Sequence, residues 1–386
     1  MSQPAKVQDL VIIGGGIMGL MTAYFASELT EHIVILEKRT IGNQEASSFS
    51  FTRSMHTDYL DSLYARLAYE ALGLWHELRE RTGRPLLVDC ACLNIAKGTV
   101  TPKLDETYTA KCYDVVEGLG LRPERLSKEA FQKRYPQFDV DFGYLNSAGG
   151  YFNLRVIADT LVESLHERGV QIIENVDTDE IAEENNQVRI STNKGMFVAN
   201  KVIITPGGKW ANEVLDLVKG NTLQLPIKLT KPESRYYYPE PDQREQFLPK
   251  NFPVFAYPDV GIYGHPIADE QKGAVKVAFY EPSDFEPDAD GKVRGVADFV
   301  EECMPSLKSM RSETVTDADQ CYYDVVDDGD FVLGGLPQYQ HIFIGTGWHG
   351  AGYKFSPLVG KILTQLALQS GTVYDIKRFS PGRFTK

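Results

Sequence analysis

The chain has 386 residues, 42% of them hydrophobic, 11% aromatic and 24% charged. That is globular composition with room for two domains or one elaborated core, and it excludes disorder, collagen and coiled coil. The 40 basic against 53 acidic residues leave a net charge of -13, which repels nucleic acid and anionic membrane surfaces and points to small molecules or proteins as partners.

The apolar run from Leu10 to Ala26 is broken by Gly14, Gly15, Gly16 and Gly19 and falls short of the roughly 20 residues needed to cross a bilayer. It reads instead as a buried strand, Asp9 to Ile13, a glycine turn, and a helix, Ile17 to Leu29. Gly14, Gly16 and Gly19 make a G-x-G-x-x-G pattern. The first glycine permits the tight turn, the second lets backbone approach a pyrophosphate, and the third allows close packing of helix on strand. The pyrophosphate would sit on the helix N-terminus. A second strand, His32 to Leu36, ends in Glu37, placed to accept from ribose hydroxyls. The residues alone leave FAD and NAD open, while a carboxylate at Glu37 would repel the extra phosphate of NADP.

Leu60 to Thr82 carries a helical apolar stripe that stops at Gly83. Asn153 caps a second helix running to Arg168, and Gln171 to Thr205 alternates in strand fashion around a turn at Glu183 to Asn186. That stretch ends in VIITPGGKW, read as a second edge of the nucleotide domain. From Leu223 to about Thr316 the texture predicts an antiparallel sheet, with a strand near Ala274 to Tyr280 and a turn at Asp288 to Gly291. The last segment is strand, glycine loop and helix, with Ser356 as N-cap and Pro357 at the first helical position. The five cysteines, Cys90, Cys92, Cys112, Cys303 and Cys321, lack metal-ligand or disulfide spacing, as expected of a metal-free protein in a reducing, cytoplasmic setting.

The N-terminal fingerprint, SSFSFTR, CYYDVVDDGDFVLG and GTGWHGAGYKFSP, in that order, resemble the monomeric sarcosine oxidase family, which includes N-methyltryptophan, pipecolate and fructosyl-amine oxidases. The resemblance spans nearly the whole chain. It implies an α/β fold of the glutathione-reductase and D-amino-acid-oxidase type: a Rossmann-like FAD-binding domain (1–85, 145–220 and 322–386) with an interleaved α+β substrate domain (86–144 and 221–321) on a mostly antiparallel sheet. It also implies a monomer that binds FAD, a small amine or amino acid and dioxygen, with no nucleic acid or membrane partner.

By the same resemblance Cys321 holds the flavin covalently as a thioether, fixing the ring and altering its redox potential. By residue type alone it is a buried structural thiol. Lys276, in AVKVAFY, reads alone as a solvent-facing edge-strand lysine, while the resemblance makes it the lysine that assists reaction of the flavin with dioxygen. Lys354 is implied as a clamp for the substrate carboxylate, and a helix beginning at Pro357 would turn its N-terminus to the flavin's pyrimidine edge, which Gly350 and Gly352 would let backbone approach. Arg53 matches the first arginine of the family's T-R-x-x-R segment. The second is His56 here, a weaker carboxylate ligand. Ile262 stands about where relatives have a substrate-facing tyrosine, and Tyr280 replaces a histidine. Tyr323, Trp348, Tyr353 and Tyr257 are candidate aromatic walls, and Ser47, Thr52, Thr178 and Gly208 complete the cofactor-binding set.

The expected activity is oxidation of a secondary amine or cyclic imino acid to an imine by hydride transfer to the flavin, with dioxygen reduced to hydrogen peroxide. Two alternatives stand beside it: an FAD-dependent amine dehydrogenase using another electron acceptor, and a dinucleotide-binding protein without redox turnover.

Overall fold

In a computed structural model, which describes residues 6–48, 50–98, 107–268, 271–280, 295–314, 322–369 and 371–385, the all-apolar stretch Leu10–Ile13 is buried on both faces and therefore takes a strand on each side. Its strand, Val7–Ile13, pairs in parallel with Ile33–Leu36 and with Gly195–Ile204. Gln171–Ile173 extends the sheet beyond Ile33–Leu36, and Ile342–Thr346 joins Gly195–Ile204 in parallel, followed by antiparallel Val332–Gly335. The VIITPGGKW strand is thus interior and not an edge. Val202, Ile203 and Ile204 are fully buried, and a run without a solvent-facing residue needs neighbours on both sides. Thr178–Glu184 and Gln187–Thr192 form an appended hairpin turned by Asn185 and Asn186, at φ 52 and 62, the left-handed pair that a two-residue hairpin turn demands. Helices Ile17–Ala26 and Gly352–Leu368 touch at Gly360, where a Cβ would lie 2.6 Å from the Met21 carbonyl carbon.

These elements belong to one compact unit, Met1–Phe49, Arg155–Thr230 and Cys321–Lys386; the second is Ser50–Leu154 and Lys231–Gln320. The second unit holds an eight-stranded sheet in the order Arg311–Thr314, Ser234–Tyr238, Val275–Phe279, Ile262–His265, Val254–Tyr257, Cys92–Ala96, Phe142–Asn146, Glu124–Leu126. It is antiparallel except where Val254–Tyr257 meets Cys92–Ala96. Its core is aromatic, with Phe138 and Phe252 stacked at 5.3 Å.

The division differs from the predicted boundaries at three stretches, 50–85, 145–154 and 221–230. Residues 50–85 belong to the second unit because Thr52–Met55 pairs with Gly150–Asn153 and helix Ser62–Thr82 packs Trp75 on Phe152 at 4.6 Å. Residues 221–230 belong to the first because Ile227–Thr230 pairs with Tyr323–Val326. Gly83 closes the helix at φ 64, as expected, and Asp61, not singled out in the sequence, caps its start by accepting from the Leu63 N–H. The turn expected at Asp288 to Gly291 lies outside the described residues. No helix among the described residues is long and apolar enough to cross a membrane.

Candidate functional site

In the first unit the turn after Val7–Ile13 is built as its glycines require. Gly14 has φ 107, and a Cβ there would stand 2.3 Å from the Thr205 carbonyl oxygen; one on Gly19 would stand 1.9 Å from the Gly14 oxygen. Helix Ile17–Ala26 starts at Gly16, which has no capping side chain. Beside it is a cleft of about 380 Å³, open to solvent, whose lining includes Gly15, Gly16, Glu37, Asn43, Ser48 and Tyr353. The Glu37 carboxylate accepts from the Gly15 N–H at 2.6 Å and the Arg39 N–H at 2.8 Å, so the acid ending the second strand stands at the turn, as its spacing predicts.

The residue that answers the helix start is Ser48, whose hydroxyl accepts from the Ile17 N–H at 2.9 Å. Ser47, the residue expected from sequence, is turned away, its hydroxyl 3.4 Å from the Tyr322 carbonyl. Nothing local distinguishes two adjacent serines; the path of the loop does. Thr178 opens the appended hairpin and does not line the cleft. The backbone that follows Gln171–Ile173 meets Glu37 two residues earlier, where the Val176 N–H donates to the Glu37 carbonyl.

Three predicted cofactor glycines make room for this chain's own side chains. A Cβ on Gly208 would lie 1.9 Å from that of Asp324, one on Gly350 2.6 Å from the Tyr323 ring, and one on Gly352 2.6 Å from the Cβ of Trp348. Asp324, missed in the sequence, is the hub of this region. Its carboxylate accepts from the Gly347 N–H at 2.9 Å, its carbonyl accepts from the His349 N–H, and the His349 ring accepts from the Val326 N–H at 3.0 Å. Burial pushes the Asp324 carboxyl up to about 6 against the pull of the backbone N–H groups, and burial lowers the His349 imidazole.

The helix expected to begin at Pro357 begins at Gly352, and Ser356 is no cap: it lies inside the helix, with a buried hydroxyl that has no hydrogen-bond partner among the described residues. Pro357 removes the N–H that would bond the Tyr353 carbonyl, and packing of Phe355, Leu358, Val359 and Ile362, each at most 3% exposed, carries the helix through it. The earlier start puts Lys354 in the first turn. It is 5% exposed, with its ammonium 3.4 Å from the Ala351 carbonyl oxygen. A buried cation at the positive end of a helix is unfavourable. Cys321 lies outside the described residues.

In the second unit Lys276 is 2% exposed. Its strand, Val275–Phe279, is interior, between Ser234–Tyr238 and Ile262–His265, which rules out the solvent-facing edge lysine. Directly opposite it in register is His265. Both ring nitrogens of His265 are engaged, Nδ1 by the Thr52 hydroxyl at 2.8 Å and Nε2 by the Ser54 hydroxyl at 2.7 Å. Thr52, a predicted cofactor contact, is therefore 1% exposed and bonded to His265 and Gln271. Arg53, between the two hydroxyl residues, is half-buried, and His56 stacks on Tyr59 at 5.0 Å. Tyr257 is a core residue, its hydroxyl donating to the Lys97 carbonyl at 2.6 Å, and Ile262 packs in the same apolar core. Tyr280 donates its hydroxyl to the Pro258 carbonyl at 3.0 Å. His265 was not legible: a single histidine in an alternating strand carries no local sign of its partners.

Known proteins resemble the chain along nearly its whole length. The profile of a family described as FAD dependent oxidoreductase (DAO) matches residues 9–366. The human peroxisomal sarcosine oxidase is 25% identical, over 100% of this chain and 98% of that protein. N-methyl-L-tryptophan oxidase of Yersinia pestis (strain Pestoides F) is 25% identical, over 97% of this chain and 99% of that protein. Among solved structures, L-proline dehydrogenase from P. horikoshii has a TM-score of 0.79 at 20% identity, covering 99% and 98% of the two chains. NikD, described as an unusual amino acid oxidase essential for nikkomycin biosynthesis, has a TM-score of 0.74 at 22% identity, covering 97% and 98%.

Proposed function

The chain belongs to the family of FAD dependent oxidoreductases, and from that premise we propose that it oxidises a secondary amine or cyclic imino acid, an N-methyl or pipecolate- or proline-like amino acid, to an imine, with dioxygen reduced to hydrogen peroxide. Its fold is that of two-domain FAD oxidases, a Rossmann-like unit with a mixed-sheet substrate unit.

The residues of the first unit fit FAD. The Gly14 turn leaves no room for a side chain, the N-cap Gly16 brings no side chain of its own, and the Glu37 carboxylate lines the same cleft. Gly14, Gly16, Gly19, Glu37 and Ser48 would hold the adenosine and pyrophosphate, with Cys321 proposed as a thioether tether. Bound there, FAD would supply a two-electron acceptor for hydride from the carbon next to nitrogen.

The observation that carries the reading is the burial of Lys276 in an interior strand. An ammonium held away from water stabilises the negative charge that develops on dioxygen as it is reduced. Lys354, also buried, would draw the substrate carboxylate to the first turn of its helix, where the dipole adds to the attraction. Arg53 would orient the substrate, and His56, an imidazole where relatives resemble one another in having arginine, weakens carboxylate binding above its ordinary titration range. The amine would bind in its neutral form, its proton released to water beforehand, so that no side chain need act as general base and positioning supplies the rate. A cytoplasmic setting and a monomeric state belong to the same proposal.

The test is a purified, yellow holoprotein screened for peroxide release with N-methyl amino acids, L-pipecolate, L-proline and glycated amines. Turnover with peroxide supports the proposal; flavin reduction without reaction with dioxygen would make the protein a dehydrogenase; absence of flavin overturns the whole reading. Acid precipitation reports on Cys321: yellow retained in the pellet supports the tether, and a colourless pellet contradicts it.

A further inference from the structure

The hydroxyl and amide groups around His265 form a chain whose polarity the geometry determines. Gln271 is fully buried, and its amide nitrogen donates to the Pro266 carbonyl at 3.0 Å and the Ala274 carbonyl at 3.2 Å. Its oxygen is therefore the acceptor, because a flipped amide would face two carbonyls with an oxygen. That oxygen takes the Thr52 hydroxyl proton. With its proton committed, Thr52 can only accept from His265, which places the imidazole proton on Nδ1. Nε2 is then an acceptor, and its partner, the Ser54 hydroxyl, must donate. Thr52, His265 and Gln271 are at most 1% exposed, whereas Ser54 is half-buried. The chain thus runs from a closed end at Gln271 to the half-buried Ser54, whose hydroxyl proton is spent on His265 and whose oxygen lone pairs remain.

We infer that His265 is a positioning residue that holds Ser54 Oγ as a hydrogen-bond acceptor for the N–H of the amine substrate, so that Ser54 selects amines that keep an N–H when neutral over tertiary amines. The inference rests on the proposed amine oxidation for its ligand, but not for the polarity of the chain. A fixed acceptor is what recognises a neutral secondary amine, whose nitrogen has one proton to donate. His265 keeps its neutral form because burial and the neighbouring charges of Lys276 and Arg53 hold its imidazole well below the ordinary range. Tyr151, at 6.5 Å, and Tyr263, at 5.6 Å, flank the ring, and Tyr236 lies opposite Lys276 on the next strand.

Two measurements on the full-length protein test this. Nitrogen NMR of histidine-labelled protein should show the His265 ring, identified by its loss in His265→Gln or its shift in Ser54→Ala, neutral and protonated on Nδ1 from pH 5 to 8. Titration in the ordinary histidine range, or a proton on Nε2, overturns the polarity whether or not flavin is bound. In the holoprotein, Ser54→Ala should lower kcat/KM for L-pipecolate by roughly 10- to 100-fold, leave the inhibition constant of N-methyl-L-pipecolate unchanged, and be rescued by Ser54→Thr. Equal losses for both amines, or none for either, overturn the role of Ser54. A wild-type holoprotein that oxidises no amine overturns the ligand and the proposed function together, while the NMR result still decides the polarity.

Discussion

The Cβ of Asp324 occupies the space that a side chain on Gly208 would need, 1.9 Å from where its Cβ would stand. The short turn Gly208–Trp210 and the strand Tyr323–Val326 are therefore in contact at a point that admits only glycine. Gly208→Ala should destabilise the protein by about 1–3 kcal/mol, the range of overpacking a close contact, measured by urea unfolding. Trimming the neighbour in Gly208→Ala/Asp324→Gly should recover part of the loss.

Asp324 also makes stability depend on pH. Its carboxyl is raised from 3.8 to about 6 by burial, so the folded state binds its proton more tightly than the unfolded state. The contribution is most favourable below pH 4 and is lost as pH rises through 6, a change of roughly 3 kcal/mol by linkage. Asp324→Asn keeps an acceptor for the Gly347 N–H and removes the titration. The unfolding free energies of wild type and variant, compared at pH 4 and pH 7, should diverge in the variant's favour at the higher pH.

Asp58 and Asn94 carry buried oxygens, Oδ2 and Oδ1, without hydrogen-bond partners among the described residues, while the other Asp58 oxygen accepts from Tyr144 at 2.8 Å and Asn146 at 3.1 Å. Burial raises the Asp58 carboxyl, and Asn94 is among its neighbours. Asp58→Asn keeps a buried acceptor for Tyr144 and Asn146 and should cost less than about 1 kcal/mol, whereas Asp58→Ala leaves both donors without it and should cost roughly 2–4 kcal/mol. Chemical denaturation of the two variants checks the order.

Helix Tyr108–Gly118 has no side-chain cap of its own. Asp259, far along the chain, accepts from the Tyr108 N–H at 2.5 Å, the Thr109 N–H at 3.3 Å and the Thr109 hydroxyl at 2.7 Å. Asp259→Ala should cost about 1–2 kcal/mol and speed hydrogen exchange at residues 108–112, with Asp259→Asn milder.

Lys276→Met should leave anaerobic reduction of the flavin by substrate within about tenfold of wild type and slow reoxidation in air by roughly 100-fold or more, the scale of losing one preorganised charge. Stopped-flow traces separate the two half-reactions, and parallel loss in both would remove Lys276 from the oxidative step.

What could be read along the chain was whatever neighbours in sequence enforce. Gly14, Gly16 and Gly19 announce a phosphate turn because strand, turn and helix are contiguous there, and Glu37 follows at the spacing one further strand imposes. The helix Ser62–Thr82 was legible through its apolar stripe and its stop at Gly83, both local signals. Pro357 misled for the same reason: a proline marks a first turn by local rule, and only the packing of Phe355 and Leu358 overrode it.

The pairing of distant segments was beyond such rules. Which of Ser47 and Ser48 meets the Ile17 N–H depends on the path of the loop, and whether Lys276 faces water depends on strand order, since successive side chains along a strand point to opposite faces and burial follows from what lies alongside. The His265 chain joins residues more than 200 positions apart. Hydrogen bonds of that kind leave no periodicity behind, because the energy that selects each partner exists only once folding has brought Thr52, Ser54 and Gln271 around one buried ring.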